Sequence, residues 1–456
     1  MNNAIKEWFD KYSEETVALT YDLWSHPELG LKEYHACKSV AAFMRKQGFD
    51  VKEVAAEDYT NPDAKPNSVI ATWGSSKPVI GILGELDALP GLGQEAVPYK
   101  SPIPGPGHGC SHNLMGGGSV AAASALKYAM EKEGLKGTIK FVDCPAEEIG
   151  CGKVHLAKNG VFNDMEVCFS YHPDNSAFIF DASAFAAVTD VTFEFTGIAT
   201  HAAVKAYDGR SALDAAELMN VGMQFLREHV TDDCCYHYIY TDGGQAPNIV
   251  PEYAALNYFI RAKDENIDDL MCRVFLVAKG AAQMTETSVK WKVNSATHGF
   301  VPNNSLNHIV YEAATKIPPI EYADKDYQFA KTMIENFTHK DAPTEHEELI
   351  ATTLVAPTGF APYCKGSNDI SDVSHIVPVT HVRGGGRGLG LPSHHWTVTA
   401  SAAVGIGQKA MLFAYKFVAQ AGYDYLKDPQ LIQKVQDEFK SRNVPRYVSR
   451  MDKYTE

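Results

Sequence analysis

Two residue types that bind metals stand one position apart in the run Gly109-Cys110-Ser111-His112-Asn113. The thiolate of Cys110 and the imidazole of His112 suit borderline divalent cations, and in a bend they can turn to the same side. Alone this pair is a weak signal, because most Cys-x-His pairs lie in a core or a loop. Further chemistry-bearing residues follow in order along the chain, namely Glu147, Glu148, His172, His394 and His395. Together they strengthen the prediction of a metal site.

Short apolar runs precede several candidate site residues. Residues 79–83, 138–142 and 167–170 have the pattern of buried strands, and helical patterns such as 119–133 lie between them. This alternation predicts an α/β domain, with a mainly parallel sheet and helices on both faces. Such sheets bind ligands at the carboxyl ends of their strands. Asp87, Glu147 and His172 each follow a predicted strand, so we expect them at that edge.

A second module interrupts the first. It begins with an alternating strand pattern and continues with helices and a further strand, over residues 188–195, 211–228, 254–261 and 267–284. The pattern predicts a smaller α+β domain with one open sheet face and exposed edges. We therefore assign a catalytic domain in two parts, residues 1–186 and 299–456, and an inserted domain, residues 187–298.

The glycine-rich run 384–390 invites comparison with a phosphate-binding loop. It lacks the preceding strand–helix context and the Gly-Lys-Ser/Thr ending that such loops need. We expect instead a flexible loop that leads into His394.

Composition excludes some classes of function. The chain has 456 residues and a formal net charge of −15, which disfavours broad binding to nucleic acid or to an anionic membrane. Residues 1–20 lack the apolar core of a secretory signal, and no stretch approaches the ~20 apolar residues of a spanning helix. Nine cysteines without framework spacing predict reduced thiols and a cytoplasmic protein.

Several further motifs occur in a fixed order. They are residues 26–30 (HPELG), 87–90 (DALP), 209–215 (GRSALDA), 247–251 (PNIVP) and 366–369 (GSND). With these motifs, nearly the whole chain resembles the aminoacylase/carboxypeptidase family of dinuclear metallohydrolases. Within that family it is similar to the amidohydrolases that include hippurate hydrolases and plant indole-acetyl-amino-acid hydrolases.

The resemblance implies a site for two divalent metal ions, Mn²⁺ or Zn²⁺. Its implied ligands are Cys110, His112, Glu148, His172 and His394. It implies that Glu147 is the general base and that Asp87 orients a ligand rather than binding metal. Many relatives carry a histidine two residues before this aspartate, where the present chain has Glu85. Relatives with a cysteine ligand also lack that histidine, which fits a ligand role for Cys110.

The resemblance also implies that the inserted domain is a lid and a dimerisation domain. It assigns His201 to the partner subunit's active site as an oxyanion donor, and it gives Asn248 a similar polar contact. Arg210 or Arg261 would meet a substrate carboxylate, since an arginine fork binds carboxylates bidentately. Lys153 and Arg383 are rival contacts for the same carboxylate. We expect a homodimer, with a homologous second subunit as the alternative.

The function implied is that of a metal-dependent amidohydrolase. Its substrate would be a small N-acyl or N-aroyl amino acid, and p-aminobenzoyl-glutamate is the specific compound that we consider. Alternatives are a dipeptidase, a general aminoacylase or a non-catalytic partner subunit. The intact set of implied ligands and base favours catalysis, because a degenerate subunit would be expected to lose at least one of them.

Overall fold

The computed structural model describes residues 1–181 and 183–454. Its strands are β1 Asp50–Val54, β2 Ser68–Gly74, β3 Val79–Glu85, β4 Thr138–Cys144, β5 Val167–Asp174, β6 Phe178–Ile179, β7 Ala184–Phe185, β8 Ala187–Thr196, β9 Cys235–Asp242, β10 Tyr253–Ala262, β11 Ser288–Thr297, β12 Leu354–Val355, β13 Tyr363–Cys364 and β14 Val379–Gly386. Its helices are α1 Asn3–Ser25, α2 Tyr34–Lys46, α3 His112–Glu133, α4 Gly152–Lys158, α5 Ala212–Leu226, α6 Asp264–Met284, α7 Asn304–Thr315, α8 Asp324–Thr338, α9 His346–Leu349, α10 Ile370–Ser374, α11 Trp396–Ala402, α12 Gly405–Lys427 and α13 Pro429–Ser441.

The chain divides into two compact units. The larger unit holds the described residues of Met1–Ser183, Val301–Pro362 and Val373–Tyr447. The smaller unit holds those of Ala184–Phe300, Tyr363–Asp372 and Val448–Glu456. None of the helices in the described ranges is both long enough and apolar enough to cross a membrane.

An eight-stranded sheet of order β1-β2-β4-β3-β5-β14-β6-β12 forms the centre of the larger unit. Its four middle strands, β4, β3, β5 and β14, run parallel, and the antiparallel pairs lie on either side of them. The predicted α/β class with a mainly parallel sheet is confirmed. Because β3, β4 and β5 are neighbours and parallel, their carboxyl ends lie side by side at one edge.

Helix α3 carries His112 at its first position and packs against that sheet. The sequence pattern predicted a helix only from residue 119, but the helix begins at His112 and includes Gly116, Gly117 and Gly118. A Cβ atom on Gly117 would lie 2.4 Å from Thr20 Cγ2, and one on Gly118 would lie 2.3 Å from Tyr415 Cδ2. Each glycine costs the helix about 1 kcal/mol relative to alanine. The absence of side chains at these positions lets α1 and α12 pack closely against the second turn of α3.

The smaller unit is an antiparallel sheet of order β11-β8-β10-β9. One face buries an apolar cluster with α5 and α6, in which Phe193 and Tyr258 pack with Met219 and Val274. The alternating pattern of β8 fits this arrangement, since every second residue from Thr189 onward is buried. β9 is an edge strand. This is the separate α+β module that the sequence predicted.

Two short segments from later in the chain complete the smaller unit. In the 448–454 segment, the buried guanidinium of Arg450 lies 3.0 Å from Asp264 Oδ1 and also pairs with Asp268. Trp291 Nε1 donates to the Tyr454 carbonyl at 3.1 Å. The predicted boundaries at residues 187 and 299 remain a proposal, and nothing in the sequence pattern indicated these later returns.

Candidate metal centre

The candidate site lies at the carboxyl ends of the parallel strands of the larger unit. Asp87 stands two residues after the end of β3, Glu147 and Glu148 follow β4, and His172 lies near the end of β5. Ala146, just before the glutamates, has a φ of 56°, a left-handed conformation that turns the chain sharply there. The side chains therefore lie close together, because they follow or end neighbouring parallel strands at one edge of the sheet.

Cys110, His112 and His172 form a first group. Each offers a ligand atom within 4.8 Å of the others, and Cys110 Sγ lies 3.3 Å from His172 Nε2. Ser111 between the first two adopts a left-handed φ of 66°, which makes the bend that lets both neighbours face one point. The expectation that Cys110 and His112 turn to the same side agrees with this geometry.

The ring orientation of both histidines leaves the same nitrogen available. His112 Nδ1 lies 3.0 Å from Asp87 Oδ1 and 3.1 Å from the Asp87 carbonyl, so this nitrogen is the donor. His172 Nδ1 likewise donates to the Pro173 carbonyl at 2.8 Å. The Nε2 lone pair of each ring is then directed toward the site. Such a contact to a carboxylate or carbonyl is typical of metal-binding histidines.

Cys110, Glu148 and His394 form a second group with ligand atoms within 4.8 Å of one another. Glu148 Oε2 lies 3.3 Å from His394 Nε2, and the Glu148 N–H donates to Asp87 Oδ2 at 2.8 Å. His394 has a φ of 53°, and its N–H donates to the Gly109 carbonyl at 3.0 Å, which ties it to the Cys110 loop. Cys110 is thus common to both groups, while Asp87 orients one member of each.

Electrostatics at the site favour a bound cation. Desolvation, and then the charge of Glu148, raise the pKa of the Cys110 thiol to about 12. Burial raises the pKa of Glu148 to about 7 and lowers that of His172 to about 4. Burial opposes protonation of His112, but the charges of Cys110 and Glu85 prevail and raise its pKa well above the usual range. The raised pKa values of Cys110, Glu148 and His112 mean that these groups hold protons when no cation is bound. A bound cation would take the place of those protons, since a coordinating thiol is deprotonated outright.

Unpartnered atoms test whether a metal fits. His112 Nε2, Glu148 Oε1 and Glu85 Oε2 are buried and make no well-formed hydrogen bond within the described ranges, although the first and the last lie 3.2 Å apart. Each such atom costs about 1–3 kcal/mol if left unsatisfied. Imidazole nitrogen, thiolate sulfur and carboxylate oxygen together are the donor set of Zn²⁺, and Mn²⁺ accepts the nitrogen and oxygen donors. The residues present therefore fit divalent metal ions.

Glu147 and Glu85 both lie near Nε2 of His112. Glu147 Oε2 lies 3.7 Å from His112 Nε2, and Glu85 Oε2 lies 3.2 Å from the same nitrogen. The other oxygen of Glu85 pairs with Lys153 Nζ at 2.6 Å, and both side chains are buried. The sequence did not predict that Glu85 contacts the site. The feature that could have indicated this contact is a carboxylate at the end of an otherwise apolar strand.

This ion pair corrects one expectation. Lys153 was a rival contact for the substrate carboxylate, but its side chain is fully buried and bound to Glu85. Arg383 is half-buried, and its Nη2 lies 2.6 Å from Asp174 Oδ2 at the end of β5. The predicted glycine-rich loop is wrong for its first part, because Gly384, Gly385 and Gly386 are buried residues of β14, whereas residues 387–390 form the bend and turn that lead toward His394.

The remaining predicted residues belong to the smaller unit. His201 is exposed and bridges to Ile249, and the Ala202 N–H donates to the Asn248 carbonyl at 3.0 Å. Arg210 bridges to Ile198 in the same loop region, and its Nη2 lies 2.9 Å from Glu286. The structure therefore groups His201, Asn248 and Arg210.

Arg261 lies elsewhere in the smaller unit. Strand β10 begins at Tyr253 opposite Thr196, near the loop that carries His201. Arg261 stands opposite Val188 and Cys235, eight positions further along that strand. At about 3.3 Å per residue, the separation is roughly 26 Å. Arg261 and Arg210 therefore cannot serve the same subsite of one chain.

This fold and site together define a class. A parallel sheet whose carboxyl edge gathers two ligand groups around a common cysteine, with a carboxylate beside them, is the arrangement of a metal-dependent hydrolase. The chain belongs to peptidase family M20/M25/M40, whose profile matches residues 81–441.

Comparisons with known proteins give the nearer relationships. The chain is 34% identical to one of the subunits of p-aminobenzoyl-glutamate hydrolase from Escherichia coli (strain K12), over 96% of this chain and 94% of that protein. It is 28% identical to Xaa-Arg dipeptidase of Mus musculus, over 96% of this chain and 91% of that protein. The sequence motifs likewise resemble aminobenzoyl-glutamate utilization protein B, in agreement with the first relative.

Solved structures share the fold. A dinuclear metal-binding peptidase of the M20 family from Bacillus subtilis superposes with a TM-score of 0.59 at 19% identity, covering 92% of this chain and 99% of that one. An aminobenzoyl-glutamate utilization protein from Klebsiella pneumoniae superposes with a TM-score of 0.61 at 18% identity, covering 90% and 98%. The predicted family and the predicted enzyme class are confirmed.

Proposed function

We propose that the protein is an amidohydrolase that uses two divalent metal ions to cleave the amide bond of an N-acyl or N-aroyl amino acid, of the p-aminobenzoyl-glutamate kind. One observation carries this proposal. Cys110 belongs to both ligand groups, so its thiolate would serve as a ligand to both cations. The first metal would be held by Cys110 with His112 and His172. The second would be held by Cys110 with Glu148 and His394.

The metals and the protein have separate parts in this chemistry. When bound, two divalent cations supply Lewis acidity toward the amide carbonyl and lower the pKa of water. Glu147 stands beside His112 without belonging to either group around Cys110, and its side chain is only 10% exposed. We assign it the role of general base, which accepts a proton from water and returns it to the leaving nitrogen. Asp87 fixes His112 and Glu148 in place through one oxygen each.

The substrate class rests on the relatives. The Escherichia coli protein is named as part of a p-aminobenzoyl-glutamate hydrolase, and its similarity extends over 96% of this chain. A second candidate is a dipeptidase, which the 28% identity to Xaa-Arg dipeptidase over 96% of the chain favours. Both reactions break an amide bond next to an amino-acid carboxylate. They differ in the group on the acyl side.

We further propose that the smaller unit is a lid and a dimerisation domain. Edge strand β9 exposes Ile239 and Tyr240, at 62% and 42%, and Phe225 on α5 is 72% exposed. An edge strand offers unpaired backbone groups to another chain, and apolar side chains beside it add area to such a contact. A second copy would fit. Because the Escherichia coli relative is named as one of the subunits of its enzyme, a homologous second chain is the alternative partner. His201 would then act as an oxyanion donor in the partner's site.

A substrate screen tests this function. Metal-free protein would be reconstituted with Mn²⁺ or Zn²⁺ and offered p-aminobenzoyl-glutamate, N-benzoylglycine and Xaa-Arg dipeptides, with Glu147→Gln protein as the matched control. We expect metal-dependent hydrolysis of the aroyl amino acids. Exclusive cleavage of dipeptides would select the second candidate. Full activity of rigorously metal-free protein would contradict the mechanism, and the absence of any activity would favour a non-catalytic partner subunit.

A further inference from the structure

One face of the parallel strands β5 and β14 carries a second set of polar residues beside the metal ligands. In β5, Tyr171 belongs to the apolar core, so its neighbour His172 points to the opposite face. In β14, Val382 belongs to the same core, so Arg383 points to the opposite face as well. Arg383 is the direct partner of His172 in the strand register. Partners in register share a face of the sheet, so the guanidinium projects on the side of the candidate metal centre.

A bulge immediately after Arg383 shapes this region. Arg383 pairs with His172 but Gly386 pairs with Asp174, so three steps on β14 match two on β5. Gly384 has a φ of 146°, and a Cβ atom there would lie 2.5 Å from the Ala177 carbonyl oxygen. Bulges of this kind redirect neighbouring side chains. Here the bulge brings the residue after Gly386, Arg387, to the same carboxylate that Arg383 contacts.

Asp174 is shared between these two arginines. Arg383 Nη2 lies 2.6 Å from its Oδ2, and Arg387 Nη2 lies 2.9 Å from its Oδ1. Arg387 also donates to Ser393 Oγ at 2.6 Å and is 2% exposed, whereas the side chain of Arg383 is 32% exposed. Two positive charges and one negative charge leave a surplus of one positive charge. Because Arg387 is buried, the accessible part of that surplus is on Arg383.

We propose that Arg383 binds the α-carboxylate of the substrate's amino-acid portion, beside the metal ligand His172. This inference rests on the proposed function and names a residue of the larger unit for the task. The arginine is held on one edge by Asp174, which leaves the rest of its planar fork for a bidentate contact with a carboxylate. Arg210, by contrast, already faces Glu286 at 2.9 Å, so its charge is matched by one partner.

Three related substrates test the assignment on the metal-loaded enzyme. They are p-aminobenzoyl-glutamate, its α-carboxamide and its γ-carboxamide. For Arg383→Gln we expect kcat/KM to fall about 10- to 100-fold on the two substrates that keep the α-carboxylate, chiefly through KM. The α-carboxamide should be cleaved at an unchanged rate. Arg383→Lys should fall between, since it keeps the charge but loses the fork. Arg446→Gln, an exposed arginine in the same unit, is the matched control.

Equilibrium binding separates this proposal from the proposed function. Calorimetric titration of p-aminobenzoyl-glutamate and its α-carboxamide into wild-type and Arg383→Gln protein reports the subsite even where no substrate is turned over. If kcat/KM falls equally on all three substrates and the metal content changes, Arg383 supports the metal ligand His172 rather than binding substrate. That result would overturn the proposal. A loss confined to substrates with a γ-carboxylate would also overturn it, because Arg383 would then bind the side chain.

Discussion

The buried ion pair between Lys153 and Glu85 makes a quantitative prediction about stability. Lys153 Nζ lies 2.6 Å from Glu85 Oε1, with the two side chains 0% and 1% exposed. Removing one partner of such a pair leaves an uncompensated buried charge and costs about 3–5 kcal/mol. An exposed pair would lose only about 0–1 kcal/mol. We therefore expect Lys153→Met to lower the free energy of unfolding of the metal-free larger unit by about 3–5 kcal/mol.

The penalty should also depend on pH. Burial opposes ionisation of Glu85, but the charge of Lys153, and then that of His112, outweighs this effect, and the pKa of Glu85 is lowered. A lowered carboxyl pKa contributes stability above the unfolded value near 4.5, and this contribution is lost as the pH falls. Without Lys153 the pKa of Glu85 should rise, so the carboxyl group of Glu85 is protonated at a higher pH in the folded variant than in the folded wild type. The cost of Lys153→Met should therefore be larger at neutral pH than at a pH near 5.

Urea unfolding followed by tryptophan fluorescence measures this cost. Of the five tryptophans only Trp291 lies in the smaller unit, so a Trp291→Phe background makes the signal specific to the larger one. The double variant Lys153→Met with Glu85→Gln should recover at least half of the loss, because it no longer buries a lone charge. A single-variant penalty below about 1 kcal/mol, or a double variant as unstable as the single one, would refute the reasoning.

Four further predictions concern the site. Cys110→Ser should weaken metal binding, measured by chelator competition, because a hydroxyl replaces a thiolate poorly. Glu147→Gln should keep its metal but turn over about 10²–10⁴-fold more slowly, whereas Glu148→Gln should lose metal. His201→Ala mixed with Glu147→Gln should regain about a quarter of wild-type activity after subunit exchange, since half of the reassorted dimers are mixed and each then has one intact site. Burial, and then the charge of His112, lower the pKa of His108 to about 4. The unfolded chain takes up that proton near its ordinary value of about 6.5, so metal-free stability should fall as the pH drops through this window.

Each of these has a control and an opposing result. Cys272→Ser changes an exposed thiol of the smaller unit and should leave metal affinity unchanged. If Glu147→Gln loses metal while Glu148→Gln retains it, the two roles are reversed. If the reassorted dimers stay inactive, His201 either acts in the site of its own chain or takes no part in the reaction. His108→Asn should reduce the acid slope, and an unchanged slope in that variant would contradict the assignment to His108.

The sequence predicted the parts of the site that strand ends determine. Runs of hydrophobic residues identified β3, β4 and β5, and the rule that ligands bind at carboxyl ends then placed Asp87, Glu147 and His172 at one edge. The pairing of Cys110 with His112 followed from spacing. These inferences succeed because strand periodicity and the geometry of a bend are local properties of the chain.

The sequence did not predict features that depend on distant neighbours. Gly384 signals a loop by composition, yet it lies in β14, where the backbone of Ala177 approaches too closely for a side chain. The early start of α3 depends on Thr20 and Tyr415, which are far away in sequence. The partnership of Glu85 with Lys153 likewise joins a strand end to a helix 68 residues later, and no local pattern marks it.

The return of the 448–454 segment to the smaller unit has a consequence for synthesis on the ribosome. This segment follows Phe300 by 148 residues (448 − 300), so at about 5–20 residues per second the smaller unit waits roughly 7–30 s for it. During that interval the ring of Phe275 and the indole N–H of Trp291 lack the contacts that Tyr454 later makes with them. The smaller unit therefore completes its apolar cluster and its Arg450 ion pairs only after all of its sheet strands have been made, and a deletion of this short segment would leave both incomplete.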